Sequence, residues 1–233
     1  AIDNICFVAP QWVVERAQNS KILKGKVFYV VDEYVNNESV FVPQRASEEL
    51  NKQFQLDTKK IIILNVARYS NERKGVRYFV EAAKKLENRS DYLFVNIGYD
   101  GQIDNLPSNY LAIPFVADQK ILSYFYSIAD LYMITSLSDT MPNVCLEALS
   151  CGTPICGFNN TGIPYVAPYP LGMFVETGDV ESLVHIVENT KKKTASTRAL
   201  CRQYAMDRYS AAVNCEKILE IYKQRLNNQL DSF

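Results

Sequence analysis

With 233 residues, the chain is long enough for one good hydrophobic core or two small ones and too short for two full Rossmann-like domains. A net charge of −1 gives no basis for a nucleic-acid partner or a polybasic membrane surface, so any anion must be recognised by a local site. No apolar run is long enough for a transmembrane helix, and Ala1-Ile2-Asp3-Asn4 does not read as a signal peptide.

The six cysteines form no CxxC pair and have no metal-ligand spacing with the single histidine, His185. No metal site is therefore expected. Cys145, Cys151 and Cys156 read as small buried thiols, and a reduced, cytoplasmic protein is the economical expectation. Any contact with a membrane would be peripheral, at its inner face.

In chain order, a strand is expected over 5–9, a helix over 11–19 and a strand over 26–31. A modest helix follows over 46–54. Residues 60–66 form the clearest strand, a near-continuous apolar run of the kind a parallel strand covered on both faces requires. After the loop 67–75, Val76, Phe79, Val80, Ala83 and Leu86 mark one side of an amphipathic helix.

Strands are expected over 92–97 and 109–115. Asp118 opens a helix whose Tyr124, Phe125 and Tyr126 read as packing residues. A strand over 129–135, a polar loop, a helix over 142–151 and a strand over 154–158 come next. Pro142 suits a first helical turn, where a missing N–H costs nothing, and Gly152 with Pro154 suits a helix stop. A helix over 180–188 carries His185, 190–194 reads as a charged solubilising linker, and helices over 196–206 and 210–226 close the chain.

About seven strands alternating with helices predict an α/β fold: a Rossmann-like, doubly wound, mainly parallel sheet with flanking helices. Residues 1–233 are expected to form a single domain. Within it, 1–45 supply lead-in strands and a linker, and 196–233 the C-terminal helices.

The chemistry concentrates at 136–155. A helix N-terminus at the C-terminal edge of a parallel sheet offers unpaired N–H groups and about half a positive charge, which suits a phosphate. Asp139 lies just ahead of that helix and Glu147 on it, each able to hold sugar hydroxyls. The spacing alone is weak evidence: with 26 acids in 233 residues, a second acid eight positions on is a frequent accident.

The stretch resembles the acid-x7-acid signature of retaining nucleotide-sugar glycosyltransferases of the GT-B fold, in particular family 4, also called glycosyl transferases group 1. The family text is close to E-G-x-P-N-x-x-x-E-A-x-A-x-G-x-P. Asp139 stands at its first acid, Pro142-Asn143 at its Pro-Asn, Glu147-Ala148 at its Glu-Ala and Gly152-Thr153-Pro154 at its end. The first acid is thus Asp in place of Glu.

Three further segments resemble the family. Arg68 and Lys74 match its G-R-x(n)-K-G element, with Ala67 for the usual Gly; taken alone, Arg68, Arg73 and Lys74 also read as a solvated charge run. Phe41-Val42-Pro43 matches its lead-in, although Asn37 stands where an Asp is usual. Residues 159–164 match a loop that commonly carries Gly-Gly-x-x-Glu, but lack the acid.

The resemblance covers nearly the whole chain but only the second, donor-binding half of such an enzyme. It implies a metal-independent, retaining transferase with no cofactor and a nucleotide-diphosphate sugar as donor, UDP-sugar favoured over GDP-sugar. The product class implied is glycan or polysaccharide. Arg68, Lys74 and the N–H groups at Asn143 and Val144, behind Pro142, would hold the diphosphate. Asp139 with the Thr140 and Met141 backbone would orient the sugar, Glu147 would bind the ribose, Phe115 and Val116 would meet the base, and Gly162 would offer a backbone N–H.

A glycan or lipid-linked acceptor would be held by a missing N-terminal domain, without which the chain is expected to be inactive. Two other readings remain: a non-catalytic nucleotide-binding module and a flavodoxin-like regulatory domain.

Overall fold

The structure is a computed structural model that describes residues 6–101 and 105–230, with side chains described through Asn227. Ile5 of the expected first strand and the segment Ala1-Ile2-Asp3-Asn4 lie outside these residues. Eight strands and eight α-helices are present among them. The opening unit is β1 (Cys6–Ala9), α1 (Gln11–Gln18) and β2 (Val27–Val30), followed by α2 (Glu48–Gln53). Then come β3 (Ile61–Val66), α3 (Val76–Lys85), β4 (Tyr92–Ile97), β5 (Tyr110–Ile113), α4 (Gln119–Ile128) and β6 (Leu131–Ile134). The remainder is α5 (Asn143–Ser150), β7 (Ile155–Phe158), β8 (Gly172–Val175), α6 (Val180–Asn189), α7 (Ala195–Tyr209) and α8 (Ala211–Leu230).

Six strands form one parallel sheet in the order β5-β4-β3-β6-β7-β8. The chain winds outward from β3 to β5, returns to the centre at β6, and winds outward the other way. The expected doubly wound, Rossmann-like α/β sheet is therefore present. Its strands alternate between two buried layers, as a period of two requires. Ile62, Leu64, Tyr132 and Ile134 join the layer under α4, α5 and α7, whereas Ile63, Leu131 and Met133 join the layer under α3 and α6.

Two features differ from expectation. β1 and β2 pair with each other as a separate two-stranded parallel sheet. Alternation with helices marks a strand but not the sheet it joins. The other is β8, an eighth strand at 172–175, whose glycine and short length gave no strand pattern.

The segment 31–47 is tied along the helical layer. Asp32 pairs with Arg208 at 2.7 Å, and the buried Asn37 donates to the Ala205 carbonyl. Arg202 donates to the carbonyls of both Phe41 and Ser150, tying the segment to α5 as well. Ser47 caps α2 and bonds Tyr124 of α4.

Residues 190–194 are not a mere solubilising linker. The buried carboxylate of Asp130 accepts from the Ile62 N–H at 2.9 Å, the Lys193 N–H at 2.8 Å and the Lys192 ammonium at 2.7 Å. Lys193 turns inward and donates to the Ser127 carbonyl and the Thr153 hydroxyl. These bonds clasp the N-terminal edge of the sheet. Burial and the nearby Arg198 push the Lys193 amine down to about 7.

Candidate functional site

Because all six strands are parallel, the loops after β3, β4, β5, β6 and β7 gather along one edge, and the winding reverses between β3 and β6. Such reversal points open a crevice in which ligands of doubly wound sheets bind. The loops after β3 and β6 form its two walls and touch directly. The Leu137 N–H donates to the Arg73 carbonyl at 2.8 Å, the Arg73 guanidinium to the Ser138 carbonyl at 3.1 Å, and the Thr135 hydroxyl to the Lys74 carbonyl at 3.2 Å. A short 3₁₀ turn, Glu72–Lys74, makes this possible. It ends on Gly75, whose φ is +62° and where a Cβ would stand 2.1 Å from the Thr135 carbonyl oxygen.

The Lys74 ammonium donates to the Asp139 carboxylate at 2.8 Å, with side chains 26% and 15% exposed. Cation and acid from the two loops thus meet at one point while both remain reachable from solvent. Asp139 is held in turn by the loop after β7. Its N–H donates to the Thr161 hydroxyl at 2.9 Å, Thr161 donates back to the Asp139 carbonyl at 2.7 Å, and the Gly162 N–H donates to that carbonyl at 2.9 Å. The Gly162 N–H, which the family resemblance offers to a ligand, is thus already engaged, as is the Thr161 hydroxyl. Gly162 acts as a buttress under Thr140.

Helix α5 begins at Asn143, with Pro142 as its N-cap residue and not its first helical residue. Extended φ and ψ of −72° and 113° place Pro142 outside the helix, and no side chain caps the helix. α3, which starts beside Lys74, is likewise uncapped by any side chain, as is α1 behind Pro10. By contrast α2, α4, α6 and α7 are capped by Ser47, Asp118, Asp179 and Thr194. Two bare helix starts therefore flank the crevice, a disposition that favours an anion.

Asn143 is exposed and Val144 half-buried. Met141 is buried, its sulfur accepting from the Glu33 N–H at 3.3 Å, which joins the motif to the segment after β2. Glu147, in the second turn of α5, is half-buried and its Oε2 accepts from the Tyr126 hydroxyl at 2.7 Å. Burial raises its pKa above the usual carboxylate value, and the Tyr126 hydrogen bond opposes that rise.

Arg68, in the same loop as Lys74, makes a different contact. Its guanidinium sits over the Phe115 ring, 5.9 Å from the centroid, and both side chains are exposed. With Val66, Ala67, Ile97, Gly98, Val116 and Leu122 they line a largely apolar pocket of about 150 Å³ at the ends of β3, β4 and β5. No group of three or more His, Cys, Asp or Glu side chains could hold a metal ion among the described residues, and no described helix is long and apolar enough to cross a membrane. His185 is an exposed residue bonded to Asn189 of its own helix.

The structure thus brings together Lys74, Asp139, Thr140 and the start of α5, with Glu147 about one turn along and Arg68, Phe115 and Val116 on the adjoining wall. Sequence reasoning took Tyr126 for packing alone. No spacing rule links it to an acid 21 residues on.

Two curated proteins are similar to this chain. An alpha-galactosylglucosyldiacylglycerol synthase of Streptococcus pneumoniae is 25% identical over 165 residues, 66% of this chain and 43% of that protein. An O-antigen chain mannosyltransferase B of Escherichia coli is 26% identical over 156 residues, 61% of this chain and 40% of that one. The chain thus spans about two fifths of the length of these relatives.

Among solved structures, a glycosyltransferase from Rickettsia africae superposes with a TM-score of 0.77 at 21% identity, over 95% of this chain and 63% of that one. Anabaena HepE in complex with UDP gives 0.73 at 18% identity, over 93% and 63%. At such identities the likeness establishes the shared Rossmann-like fold. The model of the family described as "Glycosyl transferases group 1" matches residues 46–208, a span that holds Arg68, Lys74, Asp139 and Glu147, and the chain belongs to that family.

Proposed function

We propose that this chain is the donor-binding half of a retaining, metal-independent glycosyltransferase that uses a nucleotide-diphosphate sugar. The observation that carries the reading is the meeting of Lys74 and Asp139 at the mouth of the crevice, beside the bare start of α5. A diphosphate there gains a cation and a set of helix N–H groups, the two features that neutralise a leaving phosphate without a divalent ion. Charge-assisted hydrogen bonds of this kind contribute on the order of 1.5–3 kcal/mol each.

In this reading Lys74, Arg68 and the N–H groups of Asn143 and Val144 hold the diphosphate. Asp139, with the Thr140 and Met141 backbone, orients the sugar. Glu147 accepts the ribose hydroxyls, and the base enters the pocket between Ala67, Phe115 and Val116. As the glycosyl–phosphate bond stretches, an oxocarbenium-like centre forms, the acceptor attacks from the same face, and the departing phosphate takes its proton.

The UDP bound by HepE favours a uridine donor. The acceptor, a glycan or a lipid-linked glycan, is assigned to a further domain. The exposed Leu219, Tyr222 and Leu226 of α8, at 57%, 64% and 60%, provide an apolar stripe for that domain to cover.

The test is a calorimetric titration with UDP, GDP and ADP, with and without magnesium. UDP should bind most tightly, indifferent to magnesium, and lose at least tenfold in affinity in both Lys74→Ala and Glu147→Ala. Binding of none of the three, or affinity unchanged in Lys74→Ala, refutes the reading. Strict dependence on magnesium refutes its metal independence.

A further inference from the structure

Glu147 is flanked along α5 by Cys145, Leu146, Ala148 and Leu149, all fully buried. No cation contacts its carboxylate among the described residues. The ionisable groups packed near it are Tyr126 on α4, Tyr132 on β6, and Cys145 and Cys151 at the two ends of α5, and burial pushes each of them up, so all are uncharged at neutral pH. The Tyr126 hydroxyl, at 2.7 Å from Oε2, is the sole hydrogen-bond donor to this carboxylate among the described residues.

Tyr126 is itself tightly placed. It is fully buried, and its ring is met edge-on by Phe41 at 6.2 Å and Tyr132 at 5.6 Å. Its carbonyl accepts from the Thr153 hydroxyl, which in turn accepts from the Lys193 ammonium. Its position is therefore fixed by the core, with its hydroxyl directed at the acid.

We propose that Tyr126 is a positioning residue for nucleotide recognition: its hydroxyl anchors Oε2 of Glu147, leaving Oε1 to accept the vicinal hydroxyls of the donor's ribose. The inference rests on the assignment of Glu147 to the ribose. A carboxylate free to rotate would present either oxygen in a range of orientations, whereas one tethered at Oε2 presents Oε1 in one. The same hydrogen bond favours the ionised form, which is the better acceptor. Tyr126 acts through Glu147 and touches no substrate.

The experiment compares wild type with Tyr126→Phe, checked for a retained melting transition, in two measurements. The first is the affinity ratio between UDP and 2′,3′-dideoxy-UDP; the second is the carbon-13 titration of the Glu147 carboxyl without ligand. The hydroxyl's loss should cut the ratio by about tenfold while affinity for the dideoxy analogue stays unchanged, and should raise the Glu147 midpoint. An unchanged ratio or midpoint overturns the proposal.

Wild type that binds UDP and the analogue equally overturns the ribose assignment of Glu147, and this inference with it. In the wild-type protein alone, which serves if the variant does not fold, the Tyr126 Cζ resonance should titrate at the Glu147 midpoint. Independent midpoints also overturn the proposal.

Discussion

Gly162→Ala tests how the loop 139–141, proposed to orient the sugar, is held. Gly162 has φ and ψ of −84° and −4°, a conformation open to any residue, so alanine carries no backbone strain there. Its Cβ, however, would stand 1.6 Å from the Thr140 carbonyl oxygen. No rotamer relieves that overlap, and the loop 139–141 must retreat by more than about 1 Å, a displacement that costs on the order of 100-fold when it misplaces a reacting group.

Counting bonds gives a similar size. The Gly162 N–H to Asp139 carbonyl and Asp139 N–H to Thr161 hydroxyl bonds, both 2.9 Å, would stretch or break. At about 1 kcal/mol each their loss is on the order of 30-fold. The assay is kcat/KM for transfer from the donor by the whole enzyme, with a parallel melting curve to show that the fold persists. A fall of about 30- to 100-fold is expected. A kcat/KM within twofold of wild type, in a folded variant, would refute the claim that this close approach seats Asp139.

Two further outcomes concern stability. The folded pKa of Lys193, about 7, lies below its ordinary 10.5, so between these values the folded chain binds fewer protons than the unfolded one and stability rises with pH. The contribution is at most about 1.4 kcal/mol per pH unit and is lost as pH falls through 7, so urea midpoints from pH 6 to 9 should climb more steeply in wild type than in Lys193→Met. Parallel curves would refute the assignment. Asp130→Ala should destabilise by about 2–4 kcal/mol, because it strands the Ile62 and Lys193 N–H groups, whereas the half-exposed Lys192 ammonium is rehydrated. A loss under about 1 kcal/mol in chemical denaturation would count against the clasp.

The sequence was most legible where local pattern and tertiary environment agree. Ile61-Ile62-Ile63-Leu64 could only be a strand covered on both faces, and the apolar positions of α3 mark the side it buries. The walls of the crevice were legible because the family text spans them. What escaped depends on partners distant in the chain. Lys192 and Lys193 read as solvated charge because Asp130 is some sixty positions away, and Tyr126 read as plain core because Glu147 is on another helix. Pro142 suits the first turn on propensity, yet its extended ψ makes it the residue before it. Gly162 was read as a donor of an N–H to the ligand, whereas Asp139 already holds that hydrogen.

The segment 136–141 has no seat of its own: Arg73 and Lys74 grip it on one flank, and Thr161 with Gly162 on the other. A graft of residues 136–141 from a relative with different donor preference would arrive without matching neighbours. On the proposed reading, a change of donor sugar would therefore require exchanging three strand-end turns together, and natural variation at the acid should be sought alongside compensating changes at 72–75 and 160–162.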